Sequence, residues 1–136
     1  MDSKIKILRL EPGAADYSAD VARLYAFEGW ISPGDDISGI NRAVAASYCA
    51  FAAYDGGRMV GFFRALSDGV GDAYLLDLVV DPAFRGRGIG SALAGAVIGC
   101  LRDAGIAWIT CISNPGVERL YEHFGKKMAG FTPMRF

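Results

Sequence analysis

Three glycines alternate with larger residues in a short segment, Arg85–Ser91, that lies between a predicted strand and a predicted helix. The strand, Tyr74–Val80, is nearly continuous in apolar residues, which is typical of a strand buried on both faces. Because Gly86, Gly88 and Gly90 have no side chain, the backbone there can approach a ligand closely and adopt left-handed dihedral angles at little cost. This segment therefore requires a fold in which a buried strand leads through a tight loop into a helix.

The same loop is suited to binding an anion. The first amides of a helix have no intrahelical partner, and they lie at the positive end of the helix dipole. Arg85 and Arg87 can add charge-assisted hydrogen bonds, each contributing about 1.5–3 kcal/mol when well formed. We therefore predict a pyrophosphate site formed by Arg85, Gly86, Arg87, Gly88, Ile89, Gly90 and Ser91.

Two common phosphate-binding loops fit this segment poorly. A Walker loop needs a lysine followed by serine or threonine after its last glycine, and the segment has no such lysine. A dinucleotide fingerprint needs glycine where Ser91 stands, and its glycines follow the strand directly, whereas five residues separate Val80 from Gly86. An unrelated nucleotide-binding domain remains an alternative, and it predicts that ATP or NAD competes for the site.

The remaining elements predict an α/β (α+β) fold, with antiparallel hairpins first and a β-α-β unit in the second half. Alternation of apolar residues and turn signals predict strands at Ile5–Leu10, Cys49–Tyr54, Met59–Leu66, Tyr74–Val80, Trp108–Ile112 and, at the end of the chain, Met128–Phe136. Apolar residues at helical spacing predict helices ending near Gly29, across Ile37–Val44, from Ile89 to Gly105, and from an N-cap at Asn114 to Gly125.

Length and charge exclude several classes of protein. A chain of 136 residues suits one compact domain, which we expect to span residues 1–136, and a net charge of −1 argues against a nucleic acid partner. Cys49, Cys100 and Cys111 are far apart in apolar runs, which predicts free thiols. With His123, the single histidine, they have no metal-ligand spacing, so we expect no metal. Without a signal peptide or a membrane-spanning apolar run, we expect a cytoplasmic protein with no membrane partner.

The glycine-rich segment resembles the core signature of the GNAT superfamily of N-acetyltransferases. That signature is Arg or Gln, two residues, Gly, one residue, then Gly or Ala, and here it reads Arg85-Gly86-Arg87-Gly88-Ile89-Gly90. It lies between Leu78-Val79-Val80-Asp81-Pro82 and Leu93, and the later residues Asn114, Leu120, Tyr121, Glu122 and Gly125 look like the family's second coenzyme-contacting helix. The resemblance covers essentially the whole chain. It implies a GNAT fold, with a central mixed, mostly antiparallel twisted sheet of six to seven strands flanked by about four helices.

The resemblance also implies how acetyl-CoA, the acetyl donor, would be bound. Its pyrophosphate would lie on the amides of Arg85–Ser91. Its pantetheine arm would pair with the backbone of Leu78, Val79 and Val80 as an additional strand. That pairing requires the fourth strand to diverge from the fifth. The side chains of these three residues are expected to belong to the core in either case, and Asn114 would contact the coenzyme from the last helix.

Acetyl transfer to an amine needs a route for protons, because the amine must lose one and the departing thiolate must gain one. Family members often place a tyrosine near the thioester sulfur, and Tyr121 is therefore the predicted general acid. Asp77 interrupts an apolar strand, and a buried carboxylate must be paired or perturbed. It is the predicted base or substrate anchor, although the position that most often carries the base in one branch of the family corresponds to Leu76 here.

The acceptor is expected to be a small-molecule amine, and its identity stays open. Trp30 lies in a loop that often covers the acceptor in this family, so we expect it to line the substrate pocket or the core. Asp35 and Asp36 lie in the same loop, where an exposed turn is the favoured interpretation. Some likeness exists to branches that acetylate arylalkylamines or amino sugars. A peptide N-terminus or a protein lysine is a further possibility.

Two further hypotheses concern the whole protein. The domain could bind acetyl-CoA as a sensor or scaffold without turnover, although the presence of both Tyr121 and Asp77 favours an enzyme. The absence of a Cys-His pair favours direct attack by the amine over a covalent enzyme intermediate. The apolar segment Phe131–Phe136 could pair with a second subunit, which makes a homodimer possible.

Overall fold

The computed structural model describes residues 4–136, and they contain one five-stranded sheet. The strands are β1 (Ile5–Arg9), β2 (Cys49–Asp55), β3 (Arg58–Ser67), β4 (Asp72–Val80) and β5 (Trp108–Cys111). They lie in sequence order across the sheet, antiparallel from β1 to β4, with β5 parallel to β4. The mixed, mostly antiparallel sheet confirms the predicted fold class, whereas the predicted count of six to seven strands is too high for these residues.

Four α-helices accompany the sheet in the described part of the chain, as predicted. They are α1 (Ser18–Phe27), α2 (Ser38–Ala46), α3 (Ile89–Asp103) and α4 (Glu118–Tyr121). A single 3-10 turn, Pro82–Phe84, connects β4 to the loop before α3. The parallel pair β4 and β5 is therefore joined through α3, which is the crossover that parallel neighbours require.

Each face of the sheet is covered by different helices. Phe62 and Phe63 are adjacent in β3 and fully buried, and because neighbouring side chains of a strand point to opposite faces, they enter different cores. Phe63 packs in the core that contains Leu93 of α3, and Phe62 packs in the core that contains Leu24 of α1. Each such side chain contributes about 1.5–3 kcal/mol on burial.

Helix α3 packs so closely on β3 that glycine is needed at position 61. A Cβ at Gly61 would lie 2.9 Å from Leu93 Cδ1, 3.2 Å from Ile89 Cγ2 and 3.3 Å from Ala53 Cβ.

We therefore expect Gly61→Ala to destabilise the protein by about 1–3 kcal/mol through overpacking, measured as a lower midpoint of thermal unfolding. Gly99→Ala is the control, because a Cβ there meets nothing within 4 Å, and alanine stabilises a helix by about 0.5–1 kcal/mol over glycine. Equal midpoints for the two variants would contradict this packing.

The predicted closing strand, Met128–Phe136, is wrong. These residues form no strand, and all are exposed. Gly130 adopts a left-handed φ of 85°, and Pro133 has no amide hydrogen to give to a ladder, so the segment turns instead of pairing along β5. Its apolar content alone favoured a strand.

The start predicted for the last helix is also wrong. The helix begins at Glu118, and Asn114 is not its N-cap. Instead, the amide of Val117 donates to the carbonyl oxygen of Asn114 at 3.1 Å, which closes a separate turn around Pro115 and Gly116. Gly116 has a φ of 85°, a left-handed conformation that is unfavourable inside a helix, so α4 starts only after it.

Candidate active site

Strands β4 and β5 diverge at the point where pairing of a pantetheine arm, as implied by the family resemblance, would need an open strand edge. Their pairing runs from Asp72 opposite Trp108 to Leu75 opposite Cys111 and ends there. Beyond Leu75, β4 continues to Val80 with β3 as its one strand partner. Within residues 4–136, the edge that faces away from β3 over residues 76–80 therefore has no strand beside it. As predicted, the side chain of Val79 is core, since it is 1% exposed.

The glycine-rich segment forms the predicted loop and helix start. Gly86 and Gly88 have left-handed φ values of 76° and 80°, which only glycine adopts without strain. Helix α3 begins at Ile89, and its first hydrogen bond joins the amide of Ala92 to the carbonyl oxygen of Gly88 at 3.0 Å. The amides of residues 89–91 precede that bond, so they lie at the positive end of the helix without an intrahelical acceptor.

The opening turn of α3 lies directly against α4. A Cβ on Gly90 would be 2.8 Å from Leu120 Cδ1 and 3.9 Å from Val80 Cγ2. The third glycine of the segment therefore serves close packing of α4 and β4 on the helix, while the first two shape the loop. This contact places α4, and Tyr121 with it, beside the start of α3.

The two arginines of the segment make contacts with the protein itself. Arg85 donates from Nε to the carbonyl oxygen of Val80 at 3.1 Å and from Nη2 to Glu28 Oε1 at 3.1 Å. The guanidinium of Arg87 lies 5.0 Å from the ring centroid of Phe84. The carbonyl of Val80, one of the backbone groups predicted to pair with a ligand, is thus bonded to Arg85 in this conformation.

A buried ion pair that the sequence analysis missed fixes the start of the loop. Asp81 is 5% exposed, accepts a hydrogen bond from the amide of Ala83 at 3.0 Å, and pairs with Arg23 Nη1 of α1 at 3.3 Å. Arg23 also donates to the carbonyl oxygen of Met59. Because an unpaired buried carboxylate is costly, Arg23 stabilises the position of residue 81 between β4 and the 3-10 turn.

A cleft of about 300 Å³ opens where β4 and β5 diverge. It brings together residues that the sequence analysis selected from distant parts of the chain, namely Trp30, Asp77, Leu78, Asn114 and Tyr121. Tyr74, Leu75, Leu76, Ile112 and Val117 complete its walls. His123, the single histidine, is exposed and is not among the lining residues.

Tyr121 presents a phenol that accepts and donates no hydrogen bond within the described residues. Its ring packs against Phe63, with centroids 6.3 Å apart, and among residues 4–136 its hydroxyl makes no hydrogen bond. Burial, and then the neighbouring Cys111 and Tyr74, raise the pKa of the Tyr121 phenol above its usual range. The hydroxyl consequently keeps its proton at neutral pH and can donate a hydrogen bond into the cleft.

Asp77 lies in a β-bulge. Phe62 pairs with Val79 and Arg64 with Leu76, so Asp77 and Leu78 of β4 lie opposite the single residue Phe63 of β3. Among the described residues Asp77 is the one non-glycine residue with a positive φ, at 67°. Such a conformation costs about 1–2 kcal/mol, and it persists only when the surroundings hold it in place.

Two side chains that the sequence analysis missed hold the Asp77 carboxylate. Tyr25 Oη of α1 donates to Asp77 Oδ2 at 2.7 Å, and Arg64 Nε of β3 donates to the same oxygen at 2.8 Å. Arg64 also donates from Nη1 to Ser47 Oγ at 3.3 Å, and Ser47 in turn donates to the carbonyl oxygen of Ala43. The sequence did contain one signal for these contacts, because a carboxylate in an apolar strand needs a hydrogen-bonding partner. It did not indicate which residues would be the partners.

The loop before α2 contributes Trp30 to the cleft. The residue is 39% exposed, and its ring meets Tyr25 edge-on, with centroids 5.2 Å apart. Asp35 instead accepts a hydrogen bond from the amide of Ser32, and Asp36 accepts one from the amide of Ser38. Both aspartates therefore stabilise exposed turns, as the favoured interpretation of the sequence had it.

Residues 13–126 match the family described as acetyltransferase (GNAT) family. The chain belongs to this GNAT family. A solved GNAT family acetyltransferase from Streptococcus pneumoniae TIGR4 superposes with a TM-score of 0.76 at 25% identity, covering 97% of this chain and 96% of that one. The five-stranded sheet and its four helices are thus a GNAT fold.

Curated relatives align with part of this GNAT chain. Uncharacterized N-acetyltransferase ycf52 of Gracilaria tenuistipitata var. liui is 39% identical over 67 residues, which are 49% of this chain and 37% of that protein. Serotonin N-acetyltransferase 2, chloroplastic, of Oryza sativa subsp. japonica is 36% identical over 77 residues, which are 57% of this chain and 38% of that protein. The chain therefore spans less than two fifths of the length of these relatives.

Three other features of the GNAT domain concern metal binding, membrane spanning and its thiols. Over residues 4–136, no three His, Cys, Asp or Glu side chains cluster in a way that could hold a metal ion. Within that same range, no helix is both long and apolar enough to cross a bilayer. The three cysteines are free thiols, with Cys49 buried and the other two half-buried.

Proposed function

We propose that this GNAT protein transfers an acetyl group from acetyl-CoA to a primary amine of a small molecule, by direct attack in a ternary complex. The observation that carries the proposal is the cleft between β4 and β5, which is lined by the Tyr121 phenol and the Asp77 carboxylate, while the helix that carries Tyr121 packs against Gly90 of the glycine-rich segment. The coenzyme supplies an activated acetyl thioester. In the transfer a C–N bond forms and the C–S bond breaks, while the amine loses a proton and the thiolate gains one.

The residues of the loop and strand fit a coenzyme with a pyrophosphate. Left-handed glycines at 86 and 88 keep side chains away from the loop, and the amides of residues 89–91 supply donors for the phosphate oxygens. The strand edge of Leu78–Val80 has room for a pantetheine arm, because β5 has already diverged. The Val80 carbonyl accepts a hydrogen bond from Arg85 in this conformation, and its second lone pair can accept one from that arm. Asn114 lines the same cleft and would contact the arm from the opposite side.

In this proposal Tyr121 is the general acid. A tyrosine phenol is protonated at neutral pH, so it can donate a hydrogen bond and then its proton to sulfur as negative charge develops there. Asp77 either accepts the proton of the amine through water or holds the amine in place. Its ion pair with Arg64 and its bond from Tyr25 favour the second role, since its Oδ2 is already engaged. Trp30 forms a wall of the acceptor site.

Thermal unfolding with and without acetyl-CoA tests the proposal first. Saturation at about one hundred times the dissociation constant should stabilise the protein by about 2.7 kcal/mol and raise the unfolding midpoint by several degrees. ATP and NAD are the matched controls, and we expect neither to shift the midpoint. Release of free thiol on adding an amine then separates an enzyme from a module that only binds the coenzyme. No shift at millimolar acetyl-CoA would contradict the proposal.

A further inference from the structure

A groove of about 670 Å³ lies along the outer edge of β5. Within residues 4–136, β5 pairs with β4 alone, so the backbone groups of its other edge have no strand beside them. One wall of the groove is the segment from Lys126 to Pro133, and its other lining residues include the apolar Ile98, Ile106 and Phe124. The lining residues that it shares with the cleft between β4 and β5 are Leu75, Ile112 and Tyr121. The groove is therefore a largely separate feature, with an open strand edge along it.

The segment after α4 carries apolar side chains that no described residue covers. Residues 134–136, here called the tail, follow the groove wall without lining the groove. In the tail, Met134 is 67% exposed and Phe136 is fully exposed. Eleven large apolar side chains are exposed in the described part of the chain, and six of them lie on this segment, on β5 or directly after β5, namely Trp108, Ile112, Met128, Phe131, Met134 and Phe136. Apolar residues exposed singly are ordinary, whereas such a concentration indicates an interaction surface.

The tail and the groove also carry matching charges. Arg135 lies between the two apolar residues of the tail, and it has no ion pair among residues 4–136. Glu118, at the start of α4, lines the groove and likewise has no ion pair within that range. The other charged groups of the groove include Arg102, which donates to a backbone carbonyl oxygen, and Glu122, which pairs with Lys127 at 3.7 Å. Glu118 therefore offers a carboxylate to an incoming guanidinium.

We propose that this chain forms a dimer in which the tail of each copy lies in the groove of the other. Met134 and Phe136 of one copy cover the apolar lining residues of the second copy, and the tail arginine pairs with Glu118 there. Because the tail follows Pro133, all three of its residues have amide hydrogens that can bond to the open edge of β5. The tail does not pair with β5 of its own chain, since the segment turns at Gly130. Exchange in both directions makes the contact symmetric and closes the assembly at two copies.

The apolar area of these segments is sufficient for a stable dimer. A buried phenylalanine removes about 150–250 Å² from water, so Phe131 and Phe136 of both copies together supply about 600–1,000 Å². Met128, Met134 and the lining residues of the groove add to that area, and a specific interface needs more than about 1,000 Å² in total. The match to the GNAT family ends at residue 126, so membership of the family does not by itself provide this interface. The dimer does not depend on the acetyl transfer proposed above.

Sedimentation velocity at micromolar protein concentration tests the dimer. We expect the wild type to sediment with the mass of two chains. The variant Met134→Asp/Phe136→Asp would place two carboxylates in an apolar groove, so it should weaken the dimer by about 100-fold or more and sediment as a single chain. Because both side chains are exposed in one copy, the circular dichroism spectrum of the variant should equal that of wild type. A variant that remains a dimer would overturn the proposal.

The matched control is Leu8→Asp/Val70→Asp. Leu8 is exposed on β1, the other edge strand of the sheet, and Val70 is exposed between β3 and β4. The control adds the same charge outside the tail and the groove, so it should remain a dimer. Dissociation of the control with an intact tail variant would instead place the interface on another surface. A monomeric wild type would also overturn the proposal, because something other than a second copy would then cover the groove.

Mixing two monomeric variants tests whether the tail enters the groove of another copy. Ala107→Arg is the groove variant, because Ala107 is exposed and lines the groove, where the longer side chain would take the place of the tail. It retains its tail, whereas Met134→Asp/Phe136→Asp retains its groove, so the heterodimer keeps one of the two contacts and neither homodimer keeps any. Native mass spectrometry of the mixture should show the heterodimer in excess of both homodimers. A heterodimer at the level of random pairing would contradict the exchange of tails.

Discussion

Gly88→Glu is expected to lower the affinity for acetyl-CoA by about 100-fold or more, which is the loss of about two charge-assisted hydrogen bonds. Gly88 has a φ of 80° and immediately precedes α3, so any side chain there is strained. A glutamate would also bring a negative charge to the positive helix end where the pyrophosphate is proposed to lie. Isothermal titration of the variant with acetyl-CoA measures the effect.

Gly105→Glu is the control for that experiment. Gly105 follows the other end of α3, has the same left-handed φ of 80°, and has open space around its Cβ position. The variant therefore carries equal strain and equal charge, but at a distance from the proposed phosphate site. We expect it to bind acetyl-CoA with an affinity near that of wild type. Equal affinities of the two variants would refute the phosphate-binding role of the loop.

The loop could be predicted from the sequence because its signals are local. An apolar run, three alternating glycines and a helical stripe lie within about thirty residues, and the structure follows them with β4, the left-handed Gly86 and Gly88, and α3. Apolar residues recur with the period of a helix or of a strand, so their spacing identifies the type of each element. The order of strands and helices up to β5 was therefore also predictable, and the predicted ends differ from the observed ones by only a residue or two.

The support of Asp77 could not be predicted in the same way. The contact with Tyr25 joins residues 52 positions apart, and the contact with Arg64 joins residues on two strands that meet at a bulge. Tyr25 occurs at helical spacing, which predicts a core side chain but not the partner of its hydroxyl. Similarly, the apolar content of Phe131–Phe136 could not reveal that the chain turns at Gly130 instead of pairing along β5.

Tyr121→Phe is expected to lower kcat by about 10²–10⁴-fold, the usual contribution of a positioned acid or base. The phenylalanine ring keeps the packing on Phe63, at a centroid distance of 6.3 Å in the native protein, and removes only the hydroxyl. Because that hydroxyl makes no hydrogen bond within the described residues, its loss leaves no protein group unsatisfied. The dissociation constant of acetyl-CoA should therefore remain within about twofold of the wild-type value.

Tyr48→Phe is the matched control for this variant. Tyr48 is half-buried against the same core as Tyr121 but does not line the cleft, so both its kcat and its coenzyme affinity should equal those of wild type. Single-turnover measurements with saturating amine would show whether Tyr121→Phe slows the chemical step itself rather than product release. A variant that retains wild-type turnover would exclude Tyr121 as the acid, and water in the cleft would then have to protonate the thiolate.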